Sequence, residues 1–159
     1  MSILHAPLAQ DETGLLALNN IHAVETSALT AAQLRALIAI SFRTRIVRPA
    51  NALCIALDQS AAYASANFLW FRERYPHFVY VDRVIVAAHA RGRGLARELY
   101  ADLMEAARDA GHSTLCCEVN TYPANPVSQA FHDSLGFVEA GTAELAERSK
   151  KVRYLARDL

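Results

Sequence analysis

One α/β or α+β domain over residues 1–159 is the fold that the sequence predicts, and three observations predict it. Strand and helix signals alternate through the middle of the chain. An apolar run at 78–87 precedes a helical pattern at about 94–110, and a second run at 113–120 precedes another at 125–135. No internal repeat, low-complexity tract or linker interrupts them. The 159 residues are 53% hydrophobic and 20% charged, the balance of a chain that folds around one sizeable core.

Each element has its own signature. Residues 11–29 read as a helix, with Leu15, Leu18, Ile21, His22 and Glu25 near one face. Thr30 is a good N-cap for a second helix, with Gln33 three residues on as capping-box partner. That helix runs through Leu34, Leu37 and Ile38 to about residue 42. Residues 52–57 form a short apolar strand. Residues 58–76 are irregular apart from a short helix through the aromatic cluster at 67–71, which either covers the core or walls a substrate pocket. The run 78–87 is the strongest strand. The helix after it carries Leu95, Leu99, Leu103 and Ala106 on one face and ends at Gly111. Residues 113–120 are a further strand. Asn125 as N-cap and Pro126 at the first helical position open the next helix, and Gly136 stops it. Residues 137–142 and 151–156 are closing strands.

The composition also excludes classes of function. A formal net charge of zero argues against a general nucleic-acid or membrane-surface binder. No apolar stretch approaches 18 residues, so no membrane-spanning helix is expected, and residues 1–10 lack a signal-peptide pattern. The three cysteines, Cys54, Cys116 and Cys117, form neither a disulfide framework nor a zinc-ligand spacing. The expected compartment is therefore the cytoplasm, with no metal site.

The chemistry is carried first by Arg91-Gly92-Arg93-Gly94-Leu95-Ala96, which joins the strongest strand to a helix. Such a turn aims backbone N–H groups and a helix dipole at one point, which suits a phosphate. Glycines at 92 and 94 let a phosphate come close, and Arg91, Arg93 and Arg97 can add charge-assisted contacts. A Walker A loop is excluded, because no Gly-Lys-Ser/Thr follows. A dinucleotide fingerprint fails at its third glycine, where Arg97 stands. On the turn alone, an ordinary strand-to-helix connection with glycines for tight packing stays open.

The stretch from Val84-Ile85-Val86 to Ala96 resembles the Arg/Gln-x-x-Gly-x-Gly/Ala motif of the GNAT (GCN5-related N-acetyltransferase) family, through Arg91, Gly94 and Ala96. A second stretch, Asn125-x-x-Ser128-x-x-Phe131-His132-x-x-x-Gly136-Phe137, resembles that family's Asn-x-x-Ala-x-x-Leu-Tyr-x-x-x-Gly-Phe helix. The two motifs lie in the family's order and cover about residues 78 to 140. The whole chain is similar to a bacterial branch of the family.

The resemblance implies a mixed, mostly antiparallel sheet flanked by helices, with acetyl-CoA as cosubstrate. In that family the fourth strand splays from the fifth and the thioester lies in the gap. Val84, Ile85 and Val86 would then pair by backbone with the pantetheine arm, and the Val86 N–H would polarise the thioester carbonyl. Arg91, Gly92, Arg93, Gly94, Leu95 and Ala96 would hold the pyrophosphate. Asn125, Ser128 and Phe131 would face the cofactor, and Asn120 could bind the pantetheine amide or the substrate. An amine would attack directly, with Glu118 as general base, and Asp82, Tyr80 or Glu25 as its substitutes. Glu118 is a carboxylate in an otherwise apolar strand, which calls for a reason. His132 stands where the family often has a tyrosine acid, and imidazole can donate a proton near neutral pH. The same departure keeps a second reading open, a non-catalytic acyl-CoA-binding module. The acceptor would be a small amine or a protein N-terminus, and the family's habit leaves a homodimer open.

Overall fold

The apolar runs of the sequence become six strands and the periodic segments five helices in the computed structural model, which describes residues 1–159. The strands are β1 (Arg43–Val47), β2 (Ala52–Asp58), β3 (Val79–Val86), β4 (Thr114–Tyr122), β5 (Val138–Leu145) and β6 (Lys150–Asp158). The helices are α1 (Glu12–Ile21), α2 (Ala31–Ile40), α3 (Ala66–Arg72), α4 (Leu95–Asp109) and α5 (Pro126–Ser134). One sheet takes the order β1-β2-β3-β4-β6-β5. Every pairing is antiparallel except that of β3 with β4, so the sheet is mixed and mostly antiparallel. β2 is buried from Ala52 to Leu57, as a strand covered on both faces must be. Helix α4 packs against β1, β2 and β3, and α2 against β2.

The helix boundaries follow their caps. Thr30 Oγ1 accepts from the Gln33 N–H at 3.1 Å, and Gln33 Oε1 accepts from the Thr30 N–H at 2.9 Å. Asn125 Oδ1 accepts from the Ser128 N–H at 3.2 Å, with Pro126 following it. Gly111 and Gly136 leave their helices at φ of +83° and +84°, in the left-handed region that glycine enters at no steric cost.

Three boundaries differ from the sequence expectation. The first helix ends at Ile21 rather than near Leu29. Asn19 Nδ2 donates to the Ser27 carbonyl at 2.9 Å, and Asn20 exchanges two hydrogen bonds with the Leu29 backbone, so side chains hold 22–29 as a loop. The second helix ends at Ile40, and residues 43–47 are a strand that the sequence reading lacks. Arg43 and Arg45 of that strand look solvated in sequence but meet Asp102 of α4, Arg43 through Nε at 2.5 Å and Nη2 at 2.7 Å. The last two strands run further than expected, to Leu145 and Asp158, because they pair along their whole length.

The core is rich in rings. Phe68 and Phe71 of α3 are fully buried against Phe78, Tyr80 and Tyr154 at centroid distances of 5.3 to 6.4 Å. Aromatic pairs of this kind add about 1 kcal/mol each beyond area burial. The 67–71 segment therefore covers the core, with one polar exception, Asn67, that belongs to the site.

Candidate active site

Strand β3 is where the fold opens. Ile55 of β2 pairs with Arg83 and the adjacent Ala56 with Val81, so Asp82 is the extra residue of a β-bulge. A bulge bends a strand, re-aims side chains and ends pairing. All three consequences are present. Asp82 and Arg83, adjacent in sequence, form a buried ion pair at 2.7 Å instead of pointing to opposite faces. Strand β3 pairs with β4 only at Val79–Leu115 and Tyr80–Cys116. From Val81 onward the two strands part and β4 no longer pairs with the β3 edge, where the Val86 carbonyl accepts from Arg91 Nε at 3.4 Å. The first residues add only an isolated bridge from His5 to Ile46, so β3 and β4 here are the pair expected to splay.

The arginine–glycine turn lies beyond the end of β3. Gly92 and Gly94 have φ of +78° and +76°, where a Cβ is disfavoured by about 1–2 kcal/mol. Gly94 is the N-cap of α4, and the first backbone bond into it comes from Glu98. The N–H groups of Leu95, Ala96 and Arg97 therefore have no intrahelical partner, which is the donor set an anion needs. Arg91 and Arg93 are exposed beside it. Arg97 donates to Ser134 Oγ at 2.7 Å, which ties α4 to α5. These groups fit a pyrophosphate.

Between the parted strands lies a cleft of about 550 Å³, lined by Val84, Glu118, Asn120, Asn125, Ser128 and His132 among others. It gathers Val84, Glu118, Asn125, Ser128 and His132 of the predicted residues, whereas Val86, Phe131 and the turn from Arg91 to Ala96 do not line it. Ile85 is buried in the core, pairs with Leu53 of β2 and lines neither cleft. Phe131 packs edge-on to Tyr100 at 5.4 Å. His132 is 3% exposed. Its Nδ1 lies 2.7 Å from the Ser128 carbonyl, which can only accept, so Nδ1 carries the proton. Nε2 then accepts from the Tyr100 hydroxyl at 2.6 Å. Burial holds His132 below the usual histidine range, so it is neutral at pH 7 with both nitrogens engaged. Tyr100, absent from the sequence reading, is its buried partner.

A second cleft, about 450 Å³, adjoins the first and shares Glu25, Thr26, Asp82, Arg83, Glu118 and Asn120 with it. Glu118 stands at the junction. The single stretch of parallel register puts Tyr80 beside it, and the Tyr80 hydroxyl donates to Glu118 Oε2 at 2.7 Å. Burial pushes the Glu118 carboxyl up to about 7, against the bonds from Tyr80 and Asn67 that favour its charged form, while nearby Asp82 pushes the same way as burial. Asn67 is fixed from behind, since its Oδ1 accepts from the Tyr154 hydroxyl at 2.9 Å. Arg83 donates to Asn19 Oδ1 at 2.6 Å, so α1 anchors the bulge. The sequence signal for Arg83 was present: a cation inside the strongest apolar strand. For Asn67 it was a lone amide inside an aromatic cluster.

The three cysteines are free and buried, and burial pushes their thiols upward, so none offers a thiolate. No group of three or more His, Cys, Asp or Glu side chains is placed to hold a metal ion. No helix is long and apolar enough to cross a membrane.

A bulged strand parted from its parallel neighbour, with a glycine turn at its end, is the arrangement that the resemblance to acetyltransferases implies. The chain belongs to the Acetyltransferase (GNAT) family, which it matches over residues 18–137. No curated protein matches the sequence. Its fold is similar to that of Ard1 from Thermoplasma volcanium, at 14% identity and a TM-score of 0.76, covering 98% of this chain and 96% of that one. A ribosomal-protein-alanine N-acetyltransferase from Brucella melitensis is similar at 22% identity and a TM-score of 0.73, covering 99% and 100%. A chain of the NatC complex bound to Gag peptide and CoA is similar at 11% identity and a TM-score of 0.73, covering 99% of each.

Proposed function

We propose that this acetyltransferase moves the acetyl group of acetyl-CoA to the nitrogen of an amine by direct attack, with Glu118 as general base. The observation that carries the reading is the position of Glu118 where the two clefts meet, with its carboxyl raised to about 7. A base poised near neutral pH is ionised often enough to act and basic enough to take a proton from an ammonium.

The residues divide the work. The turn from Arg91 to Ala96 binds pyrophosphate through its N–H groups and charges, a reading that the CoA in the NatC complex, one chain of which has a similar fold, supports. The free edge of β3 at Val84, Ile85 and Val86 pairs with the pantetheine arm, and an N–H at Val86 faces the carbonyl oxygen where negative charge develops. Asn125, Ser128 and Phe131 line the arm's other side. Glu118 removes one proton from the acceptor ammonium, the freed amine nitrogen bonds to the carbonyl carbon, the C–S bond breaks, and the nitrogen loses its second proton to solvent as the amide forms. His132 holds Tyr100 and the start of α5. Neither of its nitrogens offers a free proton at neutral pH, so the sulfur leaves as thiolate and takes its proton from water. The acceptor is an amine in the adjoining polar cleft. The protein works in the cytoplasm, where three unpaired thiols persist.

Thermal-shift titration tests the donor. The expected result is stabilisation by acetyl-CoA but not by ATP or NAD, about 2.7 kcal/mol at a hundred times Kd. CoA release over an amine panel then separates an enzyme from a binding module. No stabilisation at millimolar acetyl-CoA overturns the proposal. Stabilisation without release on any amine or peptide leaves a binding module.

A further inference from the structure

The cleft on the far side of Glu118 differs from an ordinary substrate pocket in composition. Leu145 is the only aliphatic side chain that lines it. Tyr63, Ser65, Asn67, Tyr80 and Asn120 present hydroxyls and amides instead. Such a wall offers an apolar acceptor no hydrophobic gain and would leave polar groups unpaired beneath it. The acceptor it suits is hydrophilic.

Two segments of the cleft wall are also tied together. Lys150, at the start of β6, donates from Nζ to the Val24 carbonyl at 2.7 Å. That bond ties the β5–β6 turn to the α1–α2 loop across the acceptor side.

Charge is the third observation. Asp82 is neutralised by Arg83 at 2.7 Å inside the cleft, so Glu118 supplies the acidic end, while Glu25 follows Val24, whose carbonyl holds Lys150. The opposite end carries Arg148 and Lys150. Neither takes part in any ion pair of the molecule, and the Lys150 ammonium meets only a neutral carbonyl. Tyr154 faces Glu118 in the β4–β6 register, and the Lys150 backbone lies four residues further along β6, about 13 Å at ~3.3 Å per residue, with its ammonium at the Val24 carbonyl. The cleft is therefore bipolar, acidic at the reacting end and basic at the remote end.

We propose that the acceptor is a small hydrophilic amine carrying a carboxylate or similar anion at the end remote from its nitrogen, read by Arg148 and Lys150. This rests on the acetyl-transfer reading, with the ammonium at Glu118. Diamines and apolar amines are disfavoured by the same cleft, the first by like charge and the second by desolvation.

The test holds the carbon chain constant and varies its far end. CoA release is measured with glycine, β-alanine, γ-aminobutyrate and longer homologues, each against its matching amino alcohol and diamine, and with a peptide bearing a free N-terminus. The expected result is that the best amino carboxylate exceeds its alcohol in kcat/KM by roughly three- to fivefold, the size of a solvent-screened ion pair, and its diamine by more. In Arg148→Ala and in Lys150→Met that ratio falls toward one, while stabilisation by acetyl-CoA shows that each variant is folded. A diamine or alcohol that equals the carboxylate, turnover of the peptide alone, or a ratio unmoved in both variants overturns the proposal. Absence of acetyl-CoA stabilisation in the parent protein is a different failure, that of the acetyl-transfer reading itself.

Discussion

The two clefts that meet at Glu118 are built by different means. The proposed donor side is made largely of backbone: a bulged strand edge, a glycine turn and the first N–H groups of α4. The proposed acceptor side is made of side chains from α1, α3, β3, β4 and the start of β6, including Asn19, Asn67, Asp82, Arg83 and Lys150. A backbone-built site demands only a few glycines and a strand–turn–helix order, so it tolerates wide sequence change. A side-chain-built site can be altered one residue at a time, which is how one fold serves many acceptors.

If that contrast is right, substitutions on the two sides should fail in different ways. The largest effect is expected at the junction. Glu118→Gln should lower kcat/KM by about 10²–10⁴-fold and leave acetyl-CoA affinity near that of the parent. An equal loss of acetyl-CoA binding would show that the clefts are not separable. The same variant should change stability in a defined direction. Glu118 titrates at about 7 in the folded state and near 4.5 when free, so between those values the folded protein binds the extra proton. Stability thus falls as pH rises through about 7, and Glu118→Gln should have the higher Tm at pH 8, with the gain fading toward pH 4.5.

The next effect lies on the donor side. Gly94→Val puts a branched side chain at φ of +76°, at a cost of about 1–2 kcal/mol. Calorimetry should show acetyl-CoA bound roughly tenfold more weakly, while the acceptor preference is kept. A smaller change is expected from Tyr80→Phe. It removes a hydroxyl that favours the ionised carboxylate, so the acidic limb of kcat/KM should move up by about one pH unit. The smallest belongs to His132→Gln. As a neutral packing partner it should cost a few-fold in rate and leave the basic side of the pH profile unchanged; a basic limb that disappears with it would restore it as the acid.

What the sequence disclosed follows the same division. Signals that act within a few residues were readable: the Thr30–Gln33 box, Asn125-Pro126, and glycines 94, 111 and 136. So was Glu118, because a carboxylate in an apolar strand is conspicuous. The unreadable parts depend on partners far along the chain. Strand β1 hides behind Arg43 and Arg45, whose partner Asp102 is more than fifty residues away. The end of α1 depends on side chains of Asn19 and Asn20 reaching to 27–29. The bulge at Asp82 leaves no mark in sequence beyond two adjacent opposite charges, and Asn67 could be connected to Glu118 only once α3 was folded over β3. Lys150 and Val24 are 126 residues apart, so the tie between these two segments had no local signal at all.

The central claim is that a carboxylate raised toward neutrality at the junction drives acetyl transfer. The most direct measurement is kcat/KM against pH for the parent protein and for Glu118→Gln, with acetyl-CoA and the best acceptor of the amine panel. The parent should show an acidic limb near pH 7, and the residual activity of Glu118→Gln should lack it. A limb that persists in Glu118→Gln, or its absence between pH 6 and 8 in the parent, would contradict the account.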